Sequence, residues 1–166
     1  MEDKHSSTCF FTGHRSIPRS EMSSLTAAID ETVEELIDWG IDTFVCGGAV
    51  GFDTLAACRV VVAKKRHPEI ALYLVLPCRD QTAKWRSAYD IALYQRLKGL
   101  ADSVEYAAET YSSGCMHLRN RMMADMSSVC VAYYNGGSGG TAYTVRYARE
   151  HGIRLINLYE KQKNMF

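Results

Sequence analysis

The chain has 166 residues, 47% hydrophobic and 23% charged, a length and composition that suit one soluble domain with a sizeable core. Its 19 basic and 19 acidic residues cancel, which argues against a dedicated nucleic-acid binder while leaving room for a local basic pocket. No apolar run approaches the roughly 20 residues of a membrane span, and Met1–Ser7 lacks the apolar core of a secretory leader, so the expected setting is cytoplasmic with no membrane partner.

In chain order, Thr8–Thr12 reads as the first strand. Met22, Leu25, Ile29, Val33, Leu36 and Ile37 then recur at spacings of three and four, one apolar stripe of a helix, with Ser20 as its N-cap and Gly40 just past its end. A strand over Thr43–Cys46 leads into a glycine turn and a helix from Asp53 to Arg66. Asp53 suits the first turn of that helix, Lys64-Lys65-Arg66 suit the last, and Pro68 stops it. Strands follow at Ala71–Leu76, Ser103–Tyr106, Val129–Tyr134 and Arg154–Leu158. Between them, helices are predicted over Ala83–Leu100, Cys115–Met126 and Ala142–His151, the last ended by Gly152.

Several of these strands are continuously apolar, as expected where both faces of a parallel sheet are covered. The alternation predicts an α/β fold: a three-layer, Rossmann-like, doubly wound sandwich with a mainly parallel sheet. It forms a single domain over 1–166, with its core at about 8–158. Ligands of such folds bind beyond the carboxyl ends of the strands, so the loops between each strand and the next helix are the candidate site. Six cysteines, at 9, 46, 58, 78, 115 and 130, form no C-x-x-C pair and mostly lie in apolar runs. They read as reduced core residues, and no metal is expected.

The loops carry suitable chemistry. The run Asn135-Gly136-Gly137-Ser138-Gly139-Gly140-Thr141 joins a strand to a helix, a context that leaves backbone N–H groups free for a phosphate. Thr141 both caps that helix and offers its hydroxyl. Gly47, Gly48 and Gly51 form a second such turn, ahead of Asp53, which suits either a ribose hydroxyl, a water or a helix cap. Neither the Walker A ending nor the G-x-G-x-x-G spacing is present there. Gly13, His14 and Arg15 follow the first strand, with Arg15 able to clamp a phosphate or carboxylate. Arg79 follows the third strand, and Trp85 beyond it suits either base stacking or the core. His117, Asn120 and Arg121 share a face of the fourth helix by their spacing; Arg119 falls on another face, and Leu118, Met122 and Met126 form the buried stripe.

Thr12-Gly13-His14-Arg15, Gly47-Gly48-Ala49-x-Gly51-x-Asp53, Arg119-Asn120-Arg121 and Gly139-Gly140-Thr141, in this order, resemble the YpsA-like family of bacterial proteins. That family lies in the SLOG superfamily, with the LOG phosphoribohydrolases and the DprA proteins. The resemblance implies a Rossmann-like domain that binds a nucleotide or nucleotide-derived ligand. In LOG enzymes a P-G-G-x-G-T-x-x-E motif ends in a catalytic glutamate; here that position is Thr144, and Asn135 stands before the glycines instead of proline. Ligand binding therefore carries over better than hydrolysis, and Asp53 is the preferred substitute carboxylate ahead of Asp125.

The leading expectation is a nucleotide-binding sensor or regulator that requires no cofactor. In it Gly13, Gly47, Gly48, Gly51, Gly139, Gly140 and Thr141 present donors to phosphates, and His14, Arg15, Arg79, His117, Arg119 and Asn120 supply charge or hydrogen bonds. The alternative is a nucleotide N-glycosidase using Asp53; single-stranded DNA binding is the weaker one, and nucleic acid is not the expected partner. Exposed Tyr and Met residues point to a homo-oligomer.

Overall fold

The computed structural model describes residues 4–159; the first residues of the polar Met1–Ser7 segment and the last of the expected 1–166 domain lie outside them. The elements in chain order are β1 (Thr8–Gly13), α1 (Met22–Asp38), β2 (Thr43–Cys46), α2 (Phe52–Arg66), β3 (Ala71–Cys78), α3 (Ala88–Leu100), β4 (Ser103–Ala108), α4 (Cys115–Asp125), β5 (Val129–Tyr133), α5 (Gly140–Glu150) and β6 (Arg154–Asn157). All strands are parallel, in the order β4-β3-β2-β1-β5-β6. The chain builds outward from β1 to β4, then returns to the other side of β1 for β5 and β6. The order therefore reverses between β1 and β5, where a crevice must open at the carboxyl edge.

Strand parity divides the core. Cys9 and Phe11 of β1, Phe44 and Cys46 of β2, and Leu72, Leu74 and Leu76 of β3 pack with Leu25, Ile29 and Leu36 of α1 and with Ala56 and Val60 of α2. The intervening residues Phe10, Val45, Val75, Cys130 and Ala132 pack on the opposite face with Met123 and Ala124 of α4 and Val145 and Ala148 of α5. This gives the three layers, helices on both faces of a fully covered sheet. Among the described residues, no helix is long and apolar enough to cross a membrane. The six cysteines are unpaired; five are buried, and burial pushes the Cys9, Cys46 and Cys130 thiols up, so they behave as small core side chains.

Local signals explain most element ends. Gly40 (φ +99°) closes α1, donating its N–H to Ile37 O, and Gly152 (φ +69°) closes α5 in the same way through Arg149 O. Other expectations fail at helix starts. Ser20 does not cap α1: Arg19–Glu21 forms a 3-10 turn, and the helix starts at Met22 with no side-chain cap. The third helix begins at Ala88, not Ala83, because the Ser87 side chain caps it by accepting from the Asp90 N–H at 3.1 Å. Thr141 does not cap α5, which begins one residue earlier behind Gly139 and has no side-chain cap. β3 and β4 each run two residues further than expected, to Cys78 and Ala108, which pair with one another.

Candidate functional site

At the β1/β5 reversal lies a polar cavity of about 260 Å³. Its walls come from β1 and the following loop (Thr12, Gly13, His14, Arg15), the start of α2 (Ala49, Asp53), α4 (Met116, His117, Arg119, Asn120) and the start of α5 (Ser138, Gly140, Thr141).

Phe52, the first residue of α2, fixes this corner. It is fully buried and stacks on Tyr133 with ring centroids 5.8 Å apart. A Cβ on Gly13 would overlap its ring, so only glycine lets β1 pass over it. The backbone of His14 then ties three elements together. Its N–H donates to Tyr133 O at 3.2 Å and its carbonyl accepts from the Phe52 N–H at 3.1 Å. Its ring Nε2 accepts from the Asn135 N–H at 2.9 Å, which leaves Nδ1 to carry the proton of the neutral ring.

The α5 end of the cavity is a bare helix N-terminus. Gly139, at φ +118°, precedes the helix, and no side chain caps it. The first N–H groups of the helix have no intrahelical acceptor, and Gly140 and Thr141, which carry two of them, line the same cavity as Arg15 and His14.

The second glycine turn serves the site from behind. Ala49 lines the cavity, whereas Gly47, Gly48 and Gly51 do not. A Cβ on Gly47 would run into the Arg119 guanidinium, one on Gly48 (φ +75°) into the Leu76 side chain, and one on Gly51 (φ +83°) into the backbone of Arg15. These glycines make room for the residues that shape the pocket, and Gly47 offers a carbonyl, not an N–H, as its contribution.

Arg119 corrects the sequence reading of α4. The buried face of that helix is Cys115, Arg119, Asn120, Met123 and Ala124, while Leu118 is 39% exposed. Of the expected stripe, Met122 and Met126 do pack on the core while Leu118 is turned out, because the first half of α4 lies over the crevice and turns polar groups inward. Arg119 is 4% exposed and is held through Nε to Asn120 Oδ1 at 2.7 Å and through Nη1 to Gly47 O. Burial pushes its pKa down and the neighbouring Arg15 adds to this, against the pull of Asp53, yet a guanidinium keeps its charge. Arg121 shares Tyr143 with His117, donating to its Oη at 2.9 Å while the His117 ring lies 4.1 Å from the tyrosine ring, but it does not line the cavity.

Asp53 is 5% exposed and lines the same cavity. Its Oδ2 accepts the Ala49 N–H at 3.3 Å. Burial raises its pKa from 3.8 to about 6, and the Arg119 charge, the Ala49 N–H and Arg15 offset only part of that. Asp125 sits elsewhere, accepting from Tyr147 Oη at 2.6 Å. Thr144, in the glutamate position of the hydrolase pattern, is 1% exposed and donates to Gly140 O at 3.0 Å, so it faces the core.

Arg79 is not part of this cavity. It pairs with Glu109 at 2.8 Å and lies 4.3 Å over the Tyr106 ring on the exposed side of the β3–β4 edge. Gly139 shapes the start of α5 without lining the pocket. Ser138 and Met116 line it and were not singled out in the sequence; Ser138 was legible as the one hydroxyl inside the glycine run.

The model of the YspA SLOG family matches residues 9–160. The chain belongs to that family. Among curated proteins it is similar to the SPbeta prophage-derived protein YoqJ of Bacillus subtilis, 32% identical over 64% of this chain and 69% of that one. It is also similar to a UPF0398 protein of Halalkalibacterium halodurans, 26% identical over 94% of this chain and 84% of that one. Among solved structures, DNA processing protein A from Helicobacter pylori, described for its single-stranded DNA binding mode, superposes with a TM-score of 0.65 at 16% identity. DNA processing protein A from Streptococcus pneumoniae superposes with a TM-score of 0.64, also at 16% identity. Each superposition covers 92% of this chain but only 65% and 50% of those proteins, so this family member shares their fold over part of their length. The single-stranded DNA binding described for the Helicobacter protein bears against the expectation that nucleic acid is no partner.

Proposed function

We propose that the chain binds a nucleotide or nucleotide derivative through its phosphate, in the cavity between β1 and β5. The uncapped N-terminus of α5, set opposite Arg15 and His14 with Arg119 fixed beneath, carries this reading. A helix N-terminus favours an anion by its free N–H groups and its dipole. Arg119 adds a buried charge whose hydrogen bonds go to the neutral oxygens of Asn120 and Gly47, with Asp53 nearby as its countercharge. Membership of the family and the placement of the cavity at the strand-order reversal agree with it. Binding of this kind suits a sensor or regulator.

Thermal unfolding against AMP, ADP-ribose, NAD and cyclic nucleotides tests the reading. A ligand at 100 times its dissociation constant stabilises by about 2.7 kcal/mol; no shift with any of them sinks it. Single-stranded DNA belongs in the same screen. Retention that falls steeply with salt and competes with AMP would replace a small ligand by a DNA backbone in the same cavity.

A second reading, cleavage of the N-glycosidic bond of a nucleotide, is favoured by one observation: a buried carboxylate with its pKa near 6 lines the pocket. Water would add to the sugar carbon, its proton passing to the departing base, with Asp53 positioning the water or steadying the ribosyl cation. Release of free base from AMP or NAD tests this, and release that survives Asp53→Ala unchanged removes Asp53 from the reaction.

A further inference from the structure

A second cavity, of about 390 Å³, opens beside the phosphate pocket and shares Arg15 and Met116 with it. The first has no Trp or Tyr in its walls, whereas the second adds Trp85 and Tyr111 to Gln81 and to charged side chains at Arg15, Asp80 and Lys84. We propose that this second cavity takes the base of the nucleotide whose phosphate sits in the first, with Trp85 and Tyr111 as stacking surfaces and Gln81 reading an N–H donor on the base. The inference rests on the phosphate reading above and extends it to the ligand's other end.

Trp85 is held ready for such a partner. The third helix starts only at Ala88, so Trp85 stands in a turn, its N–H donating to Thr82 O at 3.0 Å. Tyr94 meets its ring edge-on, with centroids 5.4 Å apart. A ring fixed before binding loses little freedom when a base stacks on it. Tyr111 is 66% exposed, yet its backbone N–H is anchored to Asp80 Oδ1 at 3.0 Å. An anchored aromatic left open to solvent beside a cavity offers a second face for a flat ring.

Gln81 supplies the independent sign of a missing partner. Its Oε1 is shielded from solvent and accepts no hydrogen bond from any described residue. A buried acceptor without a donor is costly, so turning the amide to meet a base N–H breaks no bond of that oxygen and satisfies it. Gln81 Oε1 lies at ordinary contact distance from Gly48, 3.4 Å from where a Cβ would stand, so the glycine turn that admits Arg119 to the first cavity also borders the second.

Calorimetric titration of AMP, ribose 5-phosphate and purine riboside 5′-monophosphate, which lacks the exocyclic amine, tests the assignment. AMP should bind about tenfold tighter than ribose 5-phosphate, the worth of one stacked base. Trp85→Ala should erase that advantage and leave ribose 5-phosphate binding unchanged. Gln81→Met, close in size and harmless to packing, should erase only the preference for AMP over purine riboside 5′-monophosphate. Equal binding of AMP and ribose 5-phosphate by the unaltered protein overturns the base site while the phosphate pocket stands. An AMP advantage that survives both variants places the base elsewhere and also overturns it. No binding of any of these phosphates overturns both readings.

Discussion

Asp53 gives the sharpest prediction. Its pKa is raised, chiefly by burial, from 3.8 to about 6, so the folded protein holds this proton more tightly than the unfolded chain does. The stability it contributes is fully present below its unfolded value and is lost as pH rises through about 6, where the carboxylate ionises in a poorly solvated site. At 1.36 kcal/mol per unit, the full swing is about 3 kcal/mol, of which about 2 kcal/mol falls between pH 4 and pH 7.5. Asp53→Asn keeps the shape and removes the titration. Urea denaturation of both proteins across that range should show the stability of the unaltered protein, relative to the variant, falling by about 2 kcal/mol as the pH rises. Parallel curves would refute the claim that Asp53 is a desolvated acid. A phosphate bound in the same cavity would raise its pKa further, so ligand binding near pH 7 should take up a fraction of a proton, read by calorimetry in buffers of different ionisation heat.

Arg119→Ala should destabilise the fold by about 3–5 kcal/mol in chemical denaturation, because it leaves Gly47 O without its donor and Asp53 without its buried countercharge. Gly47→Ala forces a methyl group into the Arg119 guanidinium and should cost about 1–3 kcal/mol, whereas the same change at Gly140, where a Cβ meets nothing, should cost less than half of that. Arg15→Ala should leave stability nearly unchanged, since Arg15 is exposed, but weaken AMP by about tenfold to a hundredfold through the lost charge-assisted bonds. Equal loss of stability in Arg15→Ala and Arg119→Ala would show that the two arginines are not divided as the geometry divides them.

The architecture was legible because several strands are continuously apolar and α1 carries a clear apolar stripe; glycines at 40 and 152 and Pro68 marked the ends. The candidate site was legible as loops but not as side-chain directions. His14, Arg15, His117, Arg119, Asn120, Asp53, Gly140 and Thr141 do meet in one cavity. Arg79 does not, because a strand two residues longer than its apolar run carries it past the crevice to Glu109. Periodicity misassigned α4 for a physical reason: it assumes that inward means apolar, and at a ligand crevice the inward face is where charge is needed. The glycines at 47, 48 and 51 illustrate a related blind spot. A sequence shows that a side chain is absent, but not which neighbour fills the space, and here Arg119, Leu76 and the Arg15 backbone fill it.

The way Arg119 is held has a kinetic consequence. A guanidinium gripped by a main-chain oxygen and a neighbouring amide keeps both its place and its field whether or not a ligand is present. Arg15, exposed at the rim, acts at long range and through solvent, where added salt shortens its reach to about 8 Å in physiological buffer. Capture and retention are thereby assigned to different arginines. Ionic strength should slow the arrival of an anionic ligand at the mouth more than it shortens its stay, because the charge that keeps it is buried and screened less than the one at the rim.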